Sequence, residues 1–226
     1  MSERLEPDLD LGDATAAPSA VVFDLDGVIR QWNDDQLDEV EAAFGLVPRT
    51  ILGVAFSSDL GPAVITGRIT HPEWMAEVRS RVIAEHGVDV SGAIDEWELN
   101  VGRVDTEMLE LLRSARRRTT VALLSNGTSR LRRDLHVLDL LDEFDAVFNT
   151  AELGIAKPDP EVFRMVCSSL GVDPSESLFV DDLLTNVEGA AAAGLRAHQH
   201  TDRASTAAFL TRHGALDREG PRRRLP

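Results

Sequence analysis

Val21-Val22-Phe23-Asp24-Leu25-Asp26-Gly27-Val28 decides how the rest of this chain is read. Three apolar residues, two of them β-branched, run into Asp24, and Gly27 follows the second carboxylate. Such a run predicts a buried strand that ends in a tight turn and delivers two acids to its carboxyl end. In open parallel α/β sheets that end is where ligands bind. An Asp-x-Asp pair also occurs as two solvated loop acids, so the remainder of the chain has to decide.

Upstream, residues 1–19 carry Glu3, Glu6, Asp8, Asp10 and Asp13 among Pro7, Gly12 and Pro18, and read as a mobile acidic tail. Downstream, residues 30–100 change character. Leu37, Val40, Ala43 and Phe44, then Trp74, Val78 and Val82, then Ile94 and Trp97 fall at helical spacing. Thr70, with Pro72 and Glu73 behind it, has the signature of a helix start. No strand pattern interrupts the stretch. A helical segment this long exceeds an ordinary crossover and predicts an inserted helical subdomain.

Beyond it the patterns alternate. Strands are predicted over 119–124, 145–149, 177–180 and 195–199, and helices over 105–117, 131–138, 160–170, 186–193 and 204–212. Alternation of this kind means an α/β fold, a Rossmann-like doubly wound parallel sheet, here built from residues 20–29 and 101–215. Residues 216–226, with Arg222-Arg223-Arg224, read as a frayed tail.

Composition excludes several classes of partner. A net charge of −16 over 226 residues argues against nucleic acid and anionic membrane surfaces, which select basic faces. No apolar run reaches the length of a membrane span, and the first residues lack a signal segment. The single cysteine, Cys167, lies in a helical pattern and reads as a buried hydrophobe. A cytoplasmic location is expected.

The residues with chemistry in them fall just after strands: Asp24 and Asp26, then Ser125-Asn126-Gly127, then Lys157, then Asp181-Asp182. In a doubly wound sheet those positions share one edge and converge. Asp24, Asp26, Asp181 and Asp182 gathered there would repel by roughly 4 kcal/mol per pair at about 4 Å and a dielectric near 20. The cluster therefore calls for a cation, and an all-oxygen set without His or Cys points to Mg²⁺. A carboxylate in such a site can attack phosphorus. Lys157, with the hydroxyl and amides of Ser125, Asn126 and Gly127, would bind the phosphoryl oxygens. Asp26 suits the proton transfers to the leaving group and from water.

Asp24-Leu25-Asp26-Gly27-Val28, Leu124-Ser125-Asn126, Lys157-Pro158 and Asp181-Asp182 with Asn186 resemble the four motifs of the haloacid dehalogenase superfamily, over about residues 20–200. The resemblance implies strand order 5-4-1-2-3 and a helical cap after the first strand, matching residues 30–100. It implies Asp24 as nucleophile, Asp26 as general acid/base, and Ser125 and Lys157 as phosphoryl ligands. Mg²⁺ is then held by Asp24, the Asp26 backbone carbonyl and Asp182, with Asp181 and Asn186 in support.

Within that superfamily, 2-haloacid dehalogenases lack the second aspartate of the first motif and need no metal, so Asp26 favours hydrolysis of a small phosphorylated metabolite. A phosphomutase remains a second reading; its cap usually supplies a His or Lys, and none lies between Arg30 and His71. A phospho-accepting receiver domain shares the acidic pocket but has no place for the helical insertion. Arg30, Trp32 and Arg68 are the first candidates to meet the substrate, with Arg49, His71 and Trp74 behind them.

Overall fold

The computed structural model describes residues 17–86 and 90–217; the tail readings for 1–16 and 218–226 lie outside the described residues. Strand β1 (Ala20–Phe23) leads through the Asp24–Gly27 turn into a short β2 (Arg30–Gln31). Five helices follow: α1 (Asp34–Ala43), α2 (Thr50–Ala55), α3 (Leu60–Ile65), α4 (His71–His86) and α5 (Ser91–Leu99). The chain returns through β3 (Arg103–Val104) and then alternates: α6 (Thr106–Arg116), β4 (Thr120–Ser125), α7 (Leu131–Val137), β5 (Ala146–Asn149), α8 (Thr150–Leu153) and α9 (Pro160–Leu170). It finishes with β6 (Ser177–Asp181), α10 (Leu184–Ala192), β7 (Arg196–Gln199) and α11 (Arg203–Arg212).

Five strands form one parallel sheet in the order β5-β4-β1-β6-β7, which is the expected 5-4-1-2-3 order read from the other edge. β1 sits in the middle, with Val22 paired to Ala122 on one side and Phe179 on the other. This position explains its unbroken apolar run, since a central parallel strand is covered on both faces. Val21 and Phe23 pack with Leu112, Leu123, Val180 and Phe209. Val22 points the other way, among Val162, Phe163, Phe179 and Ala190. Each such side chain contributes about 1.5–3 kcal/mol on burial. Cys167 belongs to that second layer, and burial pushes its thiol up.

The helical segment has an apolar cluster of its own around Ile51, Val64, Trp74, Val78, Val82 and Ile94. α4 starts as its sequence predicts. The Thr70 amide donates to the Glu73 carboxylate, and the Glu73 amide donates weakly to Thr70 Oγ1 at 3.4 Å. One reading needs correction: the stretch is not free of strand. β2 pairs antiparallel with β3, Arg30 opposite Val104, as a two-residue ribbon at the base of the insertion. Two residues are too few to show a period, and their partner lies beyond the whole insertion. Among the described residues no helix is long and apolar enough to cross a membrane.

Candidate active site

Parallel pairing brings the ends of β1, β4 and β6 together. Asp24 follows β1, Ser125 ends β4 and Asp181 ends β6. All three are buried, Asp181 completely. Lys157, also buried, comes from the loop between α8 and α9, and its ammonium lies 2.6 Å from Asp24 Oδ1 and 2.7 Å from Asp181 Oδ2. Asp24, Ser125 and Lys157, with Asp26, Asn126, Asp182 and Asn186, line a cavity of about 370 Å³, and Asp181 lies behind its wall.

One ammonium serves several acids, and the imbalance shows in their protonation. Burial, followed by the charges of Asp181 and Asp26, outweighs Lys157 and lifts the Asp24 carboxyl to about 7. Burial and Asp181 likewise push Asp182 up. Burial alone would lower Lys157, but Asp24 and Asp181 hold it above the ordinary lysine range, so it stays an ammonium. Asp24, Asp181 and Asp182 each offer an oxygen within 4.8 Å of the other two. Three oxygen donors, with no imidazole or thiolate among them, fit a hard divalent cation. The turn is shaped around the third of them. Gly27 has φ +78°, and a Cβ there would meet Asp182 Oδ2 at 2.5 Å, so glycine is needed for conformation and for space.

Asp181 is not a free ligand. Besides Lys157 it accepts from Asn186 Nδ2 at 3.0 Å on both oxygens and from the Leu183 amide at 2.9 Å. It is placed to orient Lys157 and the start of α10 more than to face a ligand. Ser125 lines the cavity beside Asp24.

Three expectations from the sequence change in detail. Asn126 borders the cavity, and its side chain has a task besides the one expected of its backbone amide. Its Nδ2 donates to the Lys157 carbonyl at 3.0 Å, and its Oδ1 accepts from the Lys157 amide at 2.9 Å, so it latches the loop that carries the lysine. Asn126→Ala is therefore expected to cost about 1–3 kcal/mol in urea unfolding, because two backbone groups lose their partner. Trp32 lines this cavity and Arg30 stands beside it, but both are committed to Asp26. Arg30 forks onto it with Nε at 2.7 Å and Nη2 at 3.0 Å, and Trp32 Nε1 donates to it at 2.7 Å. They position the Asp26 carboxylate. Arg68 is exposed, donates to Thr66 Oγ1 and does not line this cavity, so nothing brings it to the site.

Local patterning missed Arg130 and Asp134. Arg130 Nε donates to Asp134 at 2.9 Å, while its Nη1 and Nη2 donate to the Glu98 and Asn100 carbonyls. It thus ties α7 to the end of α5. Arg130 and Asp134 are four residues apart, and such a pair looks like any surface helix pair in sequence. Trp74 is packed between Phe56, His71 and Trp97 and donates Nε1 to the Ala55 carbonyl, as a residue of the helical core.

Residues 18–194 match the family model described as haloacid dehalogenase-like hydrolase. Phosphatase MT3486 of Mycobacterium tuberculosis is 29% identical over 188 residues, covering 80% of this chain and 86% of the relative. Among solved structures, the HAD family enzyme bt-2542 of Bacteroides thetaiotaomicron, in complex with magnesium and inorganic phosphate, is 25% identical with a TM-score of 0.66, covering 81% of this chain and 94% of that one. L-2-haloacid dehalogenase of Xanthobacter autotrophicus shares the fold at 22% identity and a TM-score of 0.60, covering 86% and 83%.

Proposed function

Because the chain belongs to the haloacid dehalogenase-like hydrolases, we propose that it hydrolyses small-molecule phosphate monoesters with Mg²⁺, through an aspartyl phosphate on Asp24. The observation that carries this reading is the second acid. Asp26 follows Asp24 in the same turn, borders the same cavity and is held there by Arg30 and Trp32. Attack on a carbon–halogen bond releases halide and needs no proton donor, whereas an alkoxide leaving group does.

Asp24 Oδ attacks phosphorus as the bond to the leaving oxygen breaks, and Asp26 gives that oxygen its proton. Asp26 then takes a proton from the water that attacks the aspartyl phosphate, which frees Asp24 and inorganic phosphate. Lys157, Ser125 and the amides following it hold the equatorial oxygens. Asp24, the Asp26 carbonyl and Asp182 would hold the cation, with Asp181 and Asn186 fixing the surrounding loop. When bound, magnesium supplies positive charge to the phosphoryl oxygens. The phosphatase relative and the solved relative with magnesium and phosphate support the same assignment.

Phosphate release from an aryl phosphate with and without Mg²⁺ tests the proposal, and metal-dependent release is expected. Metal-independent chloride release from a 2-haloacid, with none of phosphate, would overturn it and the role given to Asp26.

A further inference from the structure

A second cavity, of about 600 Å³, lies between the helical segment and the sheet edge and shares Asp26, Trp32 and Asn126 with the cavity that holds Asp24. Its wall is mostly carbon, from Leu52, Phe56, Ile65, Trp74, Met75 and Trp97. The polar groups that border it are largely bonded to one another. Arg130 is held by Asp134 and two carbonyls, Arg30 by Asp26, and His71 Nδ1 meets Thr128 Oγ1 at 3.2 Å. Among the described residues, the buried side-chain atoms without a hydrogen-bond partner are Arg30 Nη1 and His71 Nε2, and both residues line this cavity. Trp32 and Phe56 line it too, yet remain 40% and 55% exposed.

We propose that this cavity takes the leaving group of the phosphate monoester, and that the group is the apolar body of a long-chain or polycyclic alcohol. The proposal rests on the phosphatase reading above. A sugar, nucleoside or hydroxy acid brings many polar atoms, each of which costs affinity if it leaves water for a wall whose donors and acceptors are largely paired. A hydrocarbon body needs only burial, and it would cover the open faces of Trp32 and Phe56. Arg30 Nη1 and His71 Nε2 each stand 3.7 Å from a carboxylate, of Asp134 and Glu98, and have no hydrogen bond, which leaves a place for one oxygen on that body.

A series of n-alkyl monophosphates from methyl to decyl tests this, with phosphoglycolate, phosphoserine and glucose 6-phosphate as polar comparators and Mg²⁺-dependent phosphate release as the readout. We expect kcat/KM to rise about fourfold per methylene until the cavity is full, and to exceed the polar comparators by about 100-fold or more. Gly53 lies on the cavity wall with nothing within 4 Å of where its Cβ would stand. Gly53→Phe, or the smaller Gly53→Leu should the first not fold, is expected to end the rise at a shorter chain, each series being scaled to its own methyl ester. A flat series, or a polar comparator turned over as fast as the decyl ester, overturns the proposal and leaves the phosphatase reading standing. A rising series that neither Gly53 variant shortens puts the chain elsewhere and also overturns it. No phosphate from any ester, with the parent folded by circular dichroism, removes the phosphatase reading and this proposal with it.

Discussion

Asp24→Asn is expected to lower Mg²⁺-dependent phosphate release by at least about 10⁴-fold, because an amide cannot form the aspartyl phosphate and loss of a nucleophile is seldom rescued by its neighbours. The same substitution is expected to stabilise the metal-free protein at pH 8. Burial and two further acids lift the Asp24 carboxyl from 3.8 to about 7 in the folded protein. Below pH 4 it is neutral in both states and the folded state is unpenalised. As pH rises from about 4 to 7 the unfolded chain gives up the proton first, and stability falls until the folded carboxyl ionises as well. A shift of about three units amounts to about 4 kcal/mol at most. Asn at this position removes that loss, while Lys157 keeps Asp181 at 2.7 Å. Melting at pH 5 and pH 8 without metal reads it out at about 2–4 °C per kcal/mol. The variant should gain several degrees at pH 8 and less than half as much at pH 5, and the parent should recover the difference when Mg²⁺ is added. A variant that melts lower than the parent at pH 8 would refute the charge imbalance, and residual turnover within tenfold of the parent would refute the nucleophile.

Lys157→Met should move stability the other way. The ammonium is the cation bonded to both Asp24 and Asp181, and methionine matches its length without its charge. Removing one partner from a buried ionic cluster costs about 3–5 kcal/mol. Turnover should fall by about 10²–10³-fold, the usual consequence of deleting one charged donor to a reacting oxyanion. The stability loss should be smaller at pH 5, where Asp24 is already neutral in the folded protein and only Asp181 loses a charge partner. Urea unfolding at the two pH values checks the sign. Equal losses at both would mean that Lys157 acts through packing against Phe179, 5.6 Å from its ammonium, more than through charge.

These effects rest on residues of unequal legibility in the sequence. Asp24, Ser125 and Asp181 were found because each ends a strand, and a buried parallel strand announces itself by an apolar run that stops where its acid or hydroxyl begins. The helix start at Thr70 was legible for the same local reason. Asp26 was legible as an acid, but its hold by Arg30 and Trp32 was not, because those two residues read equally well as substrate contacts. The backbone amide of Asn126 was legible as a candidate phosphate donor, but the latch its side chain makes on Lys157, a partner 31 positions away, was not.

By itself, the sequence determined the α/β class, the chain order of the strands and which of them end in a reactive side chain. Those properties follow from periodicity and turn chemistry within a few residues. Tertiary structure decided which acids share one ammonium, where the Asp26 carboxylate is held, and that Arg130 and Asp134 border an apolar cavity. Those are pairings between distant segments. Their energy depends on distance and burial, which no local pattern of residue types records.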